Sequence, residues 1–139
     1  MKACDGKPIV ALTLRHDRLD NFWFCLAHEL AHISLHLDNN VGKSFFDDLD
    51  LMGEGLEMVE KYADDLAEQA QIDNATWHSS DVSSTHHPRD VRRLAYKLRI
   101  NPAIVAGRVR FETKNYRALT RFVGHGEVRK HFQGAMSGE

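Results

Sequence analysis

Two hydrophobic rhythms divide this chain. The run Pro8-Ile9-Val10-Ala11-Leu12-Thr13-Leu14-Arg15 is short, apolar and rich in β-branched residues, which predicts a strand. A polar break from His16 to Asp20 follows, with Asp20 or Asn21 suited to cap the next element. From Phe22 to His36 apolar residues occupy most of the helical circumference, which predicts a helix buried on nearly every side. Asp38-Asn39-Asn40-Val41-Gly42 supplies the turn chemistry to end it, and Ser44-Phe45-Phe46 reads as a short strand or an anchored loop. Leu56, Val59, Ala63, Leu66, Ala67 and Ala70 then repeat at helical spacing, predicting a second helix from Leu56 to Gln71.

The remainder is read the same way. Asn74 to Thr85 is polar and serine-rich and predicts a surface loop, pinned by Trp77. Pro88 to Arg99 predicts a third helix with Val91, Leu94, Ala95 and Leu98 on one face. Asn101 and Pro102 form a cap and a first-turn proline, opening a fourth helix through Phe111. Tyr116 to Phe122 and Glu127 to Phe132 predict two short helices around Gly124-His125-Gly126, before a frayed tail from Gly134. The fold expected from these elements is α+β: a small sheet of about three strands, the Phe22–His36 helix across it, and a helical carboxy-terminal part. Nothing marks an internal boundary, so residues 1–139 are expected to form a single domain.

Composition changes this picture little. At 42% hydrophobic and 27% charged the chain is ordinary for a globular protein. No apolar run approaches the ~18 residues of a membrane span, and no signal-peptide pattern opens the chain, so a cytoplasmic location is expected. Cys4 and Cys25 lack metal-site or redox spacing. Charge is more informative. The net charge of −2 conceals an acidic part, residues 1–85 with 16 Asp+Glu against 6 Lys+Arg, and a basic part, residues 86–139 with 4 against 12. The basic part is expected to dock on the acidic one or to meet an acidic or nucleic-acid partner. Its predicted helix pair, 88–111, carries arginines at 89, 92, 93, 99, 108 and 110, loosely like a helix-turn-helix DNA-binding module.

The sharpest chemical signal lies inside the apolar helix, at His28-Glu29-Leu30-Ala31-His32. Ionisable groups in such a helix are costly unless paired, hydrogen-bonded or metal-bound. Residues four apart lie one turn apart on one face, so the two imidazoles can hold one Zn²⁺, and Glu29 stands ready to take a proton from the attacking water. A catalytic zinc site takes three protein ligands and keeps one open position. His36 is eight residues from His28, ~12 Å along a helix, too far to share an ion with it. The second helix offers Glu57, Glu60, Asp64, Asp65 and Glu68, among which Glu60-x-x-x-Asp64 stands out. Glu60 can complete the metal site in the manner of a gluzincin, while Asp64, one turn on, orients a ligating imidazole. An oxyanion-stabilising group is also expected, with His78, His86, His87, Arg89 and Tyr96 as candidates.

These motifs together resemble the ImmA/IrrE family of zinc metallopeptidases, in the branch that accompanies HigA-like antitoxin regulators. The resemblance rests on Pro8 to Arg15, Asn21-Phe22-Trp23-Phe24, the His28 to His32 motif with His36, Glu60-Lys61-Tyr62-Ala63-Asp64, and Ile100 to Arg108. It implies a minimal zincin-like domain, with His28, His32 and Glu60 as metal ligands and Glu29 as general base. It also implies a cytoplasmic endopeptidase that cuts a regulatory protein such as a transcriptional repressor. Nucleic acid would be met only through a fused or separate helix-turn-helix domain, and this chain would be free-standing or the carboxy-terminal part of a longer regulator. Gln71-Ile72-Asp73 lacks the proline that members often carry after the second helix. A different class of function is a non-catalytic regulator of a toxin–antitoxin system, binding a toxin partner through a fold whose metal site is structural or vestigial.

Overall fold

Asn101 and Pro102 show how directly local chemistry sets this structure. Asn101 adopts extended backbone, its side chain accepts from the Ala103 amide at 2.9 Å, and the proline occupies a first-turn position that needs no amide donor. The computed structural model describes residues 7–37 and 55–136. Their elements are α1 (Leu19–Leu37), α2 (Gly55–Gln71), α3 (Asn74–Ser79), α4 (Val82–Thr85), α5 (Pro88–Leu98) and α6 (Pro102–Thr113). Two 3₁₀ turns, Thr120–Phe122 and Arg129–His131, precede a last helical turn, α7 (Gln133–Met136).

The α+β expectation is overturned: among the described residues there is no strand and no sheet, and the regular structure is helical. The small sheet of a zincin-like domain is therefore not the architecture observed. Residues 9–15 keep the two-residue rhythm, with Val10, Leu12 and Leu14 half-buried while Ile9, Ala11, Thr13 and Arg15 are exposed. A strand needs a neighbour to take its amides and carbonyls, and none of the described segments pairs with this one. The segment is held end-on instead, where the Arg129 side chain donates from Nε to the Leu14 carbonyl at 2.7 Å. The predicted Ser44–Phe46 element and the turn at 38–42 lie outside the described residues.

Three further expectations change. The polar stretch 74–85 is not a loop but two short helices, because Asp73 caps the first through the Thr76 amide and Trp77 is fully buried. The 116–122 and 127–132 segments form 3₁₀ turns rather than α-helices. Helix α1 is less buried than its composition predicts. Ala31 and Leu35 are in the core, whereas Trp23 and Leu30 stay 40% and 51% exposed among the described residues. It also starts earlier than its predicted cap: Asp20 lies within the first turn, buried, and accepts from Arg18 Nε at 3.0 Å.

The core gathers around α6. Val105, Ala106 and Val109 pack with Trp77, Val82, Val91, Leu94 and Val123, and α5 lies alongside. Helix α1 packs on both α2 and α6. Helix α1 approaches α6 at Gly107, where an added Cβ would stand 2.9 Å from the Asp20 Cβ. On α2 the inward stripe is Val59, Ala63 and Ala67. Two alanines on that stripe let the backbones of α1 and α2 approach closely, and that approach brings side chains beside the stripe into register.

Candidate metal centre

The residues flanking the α2 stripe are Glu60, Asp64 and Glu68, one turn apart each. Opposite them on α1 stand His32, His28 and Phe24, also one turn apart. The Glu60 carboxylate bridges the two imidazoles, with Oε2 3.0 Å from His28 Nε2 and Oε1 3.1 Å from His32 Nε2. The two Nε2 atoms are 3.1 Å apart. Three potential ligand groups contributed by two helices thus form a close triangle, with one donor atom from each within 4.8 Å of the others.

The fourth member fixes the chemistry. Asp64 Oδ1 lies 2.8 Å from His28 Nδ1. An ionised carboxylate only accepts, so Nδ1 carries a proton, which leaves Nε2 as the nitrogen able to offer a lone pair to a cation. Lone-pair donors held this close repel unless a cation or shared protons sit among them. For Zn²⁺ with tetrahedral bonds of ~2.0–2.1 Å, neighbouring ligand atoms are ~3.3–3.4 Å apart, and the observed spacing needs only a slight spread to match. Two imidazoles and one carboxylate are a donor set that zinc accepts, with a fourth position left over. Both histidine side chains are mostly buried, 16% and 14% exposed, while Glu60 remains 58% exposed, so the open side faces out past Glu60.

Glu29 follows His28 on α1 and is half-buried; its side chain makes no hydrogen bond to another described residue. Cys25, one turn before it, has its thiol pushed up by burial and then by the negative charges of Glu29, Asp20 and Asp64. That environment suits an inert packing thiol. The His36 side chain lies outside the described residues. The oxyanion candidates are not drawn in: His78, His86, His87, Arg89 and Tyr96 are all exposed, and no hydrogen bond or ion pair joins them to the triangle. His87 has a structural task, accepting at Nδ1 from the Arg89 amide to cap α5.

The basic helix pair also differs from expectation. Arg108 is buried and stacks over Trp77, 4.7 Å from ring centroid to guanidinium. Its donors reach Glu112 Oε1, the Ile72 carbonyl and Asn74 Oδ1. Arg110 is buried too, with Nε and Nη1 lacking hydrogen-bond partners among the described residues and its pKa lowered chiefly by desolvation. These two arginines serve the interior and leave α6 without a basic reading face. The acidic and basic parts of the chain do meet inside, where Arg108 Nε is 3.5 Å from Glu68 Oε1.

Glu68 is one of five acidic candidates on α2, but its partner Phe24 carries no signal of its own. Extending each stripe by one turn, to Phe24 before His28 and Glu68 after Asp64, is the pattern that exposes both. Burial lifts the Glu68 carboxyl above its usual range despite the Arg108 charge beside it. No protein-family model matches this chain, and no curated protein or solved structure matches it. No helix of the described residues is long and apolar enough to cross a membrane.

Proposed function

We propose that this chain is a zinc-dependent endopeptidase of the ImmA/IrrE type, acting in the cytoplasm on a regulatory protein such as a transcriptional repressor. The observation that carries the reading is the His28–His32–Glu60 triangle with Asp64 behind it, built from two helices. His28, His32 and Glu60 would hold the ion. When bound, zinc supplies Lewis acidity that polarises a peptide carbonyl and acidifies water. The chain does the rest. Asp64 keeps the His28 tautomer that offers Nε2. The Glu29 carboxylate accepts the proton of the attacking water and delivers it to the departing amine.

The test separates binding from chemistry. Zinc content is measured for wild type and Glu29→Gln, and both are incubated with helix-turn-helix repressors and a peptide library, with products read by mass spectrometry. Glu29→Gln is expected to hold zinc like wild type and to lose cleavage by ~10²–10⁴-fold, the usual worth of a positioned proton acceptor. Cleavage that survives the substitution unchanged refutes the assignment.

A further inference from the structure

The outward face of α5 carries a continuous stripe of cations. At about 100° per residue, Arg92, Tyr96, Arg89, Arg93 and Lys97 follow one another round the helix over roughly 140°. All five are exposed, and no acidic residue interrupts them, since Asp90 is buried at the edge of the stripe. Helical neighbours three and four apart have Cβ atoms ~5–6 Å apart, so the charges form one patch. Arg92 and Arg93 are held in place. The Arg92 guanidinium lies over the Phe122 ring, 5.0 Å from its centroid, and Arg93 Nη1 is 3.5 Å from Asp81 Oδ2. Asp90 Oδ1 stands 3.9 Å from Arg93 Nη1 and 4.0 Å from Arg89 Nε. Arg92 and Lys97 meet no carboxylate among the described residues, which leaves the patch positive.

Tyr96 decides which polyanion fits. It is 89% exposed, the most open of the large hydrophobic side chains among the described residues, and its ring and hydroxyl meet no partner there. A protein partner buries an apolar centre from which charges are depleted. Here the centre is charged, and no aliphatic side chain lies on the stripe. A duplex admits a helix into its major groove when that helix projects from the body. Helix α5 is instead flanked on both sides, by the Thr120–Phe122 turn at Arg92 and by Asp81 at Arg93. A single strand requires neither an apolar centre nor a projecting helix. Its phosphates follow the cations, and an unpaired base stacks on the open ring.

We propose that this face of α5 binds single-stranded nucleic acid, with Arg89, Arg92, Arg93 and Lys97 on the phosphates and Tyr96 stacked on a base. None of these residues belongs to the metal centre, so the test does not depend on zinc or on cleavage. The probe is a fluorescein-labelled single strand of mixed sequence, about 12 nucleotides long, titrated with the full chain and read by anisotropy. The matching duplex and polyglutamate serve as competitors. Four phosphate contacts at about −0.7 each give a salt slope of about −2.8, so affinity should fall about 50-fold between 50 and 200 mM salt. Arg89→Ala should reduce that slope by about 0.7. Tyr96→Ala should weaken binding about tenfold and leave the slope unchanged, while Tyr96→Phe, which keeps the ring, should bind like wild type. Both positions are exposed, so neither substitution disturbs the core. A duplex that competes as well as the single strand overturns the stacking on Tyr96. Polyglutamate that competes equally, with Tyr96→Ala indistinguishable from wild type, overturns the nucleic-acid assignment in favour of an acidic protein. Absence of binding at 50 mM salt overturns the proposal outright.

Discussion

Replacing Asp64 by asparagine tests the metal centre at its least obvious residue. The Asp64 carboxylate touches no Nε2 atom; it acts only through His28 Nδ1 at 2.8 Å. Asparagine keeps the size and an acceptor oxygen but removes the charge that holds the Nδ1 proton and strengthens His28 as a donor. Losing such a partner typically weakens metal binding 10–100-fold. Asp64 is 35% exposed, so solvent screens part of its field. The expected loss is therefore near the lower end, about tenfold or ~1.4 kcal/mol. Competition against a chromophoric chelator at neutral pH measures it, with Glu60→Ala alongside. Removing a ligand outright should cost more than removing its neighbour's support. Equal zinc affinity in wild type and Asp64→Asn, or a greater loss in Asp64→Asn than in Glu60→Ala, would refute Asp64 as the support of a His28–His32–Glu60 ligand set.

Three stability predictions concern other parts of the molecule. Gly124 has a φ of +72° and an added Cβ would lie 2.8 Å from Leu19 side-chain atoms, so Gly124→Ala should lower stability by roughly 1–3 kcal/mol in denaturant titration; no change would show that this turn does not pack on α1 as described. Arg110 buries two donors without partners, so Arg110→Met should leave stability unchanged or raise it by about 1 kcal/mol; a clear loss would mean the guanidinium has an effective counter-charge. Asp17 accepts from the Val128 and Arg129 amides, bonds that hold its carboxyl below the usual carboxylate range. A depressed folded-state pKa stabilises above the unfolded value and the benefit disappears as pH falls through the folded value, below pH ~4. Asp17→Asn should therefore flatten the acid limb of a thermal-stability profile; an unchanged limb counts against the tie.

Helices are legible in proportion to how far their own residues determine them. The α2 pattern of Val59, Ala63 and Ala67 and the caps at His87-Pro88 and Asn101-Pro102 are local, and the observed helices follow them closely. The strand expected at 8–15 is not, because a strand is a relation between segments and its alternation is equally served by an extended stretch lying on a helical body. Asn74–Thr85 misleads through composition: its serines cap and close turns, with Ser80 Oγ and Ser83 Oγ donating to backbone carbonyls three residues back. The triangle is legible because i, i+4 spacing on two helices specifies a face, and Glu60 and Asp64 share one. Which acidic residue meets which imidazole depends on the α1–α2 register, and that is set by packing. Phe24 and the interior roles of Arg108 and Arg110 depend on the same packing, with no short-range signal to reveal them.

The triangle draws two corners from α1 and one from α2. Under the proposed function, zinc affinity would therefore gauge the spacing between two rods as much as ligand chemistry. A substitution at Ala63 or Ala67 that pushes the rods apart should register as lost zinc without touching a ligand. By linkage the converse would hold under the proposed function: an ion bound there would act as a staple across that seam, stabilising the folded chain by an amount that grows with the logarithm of free zinc.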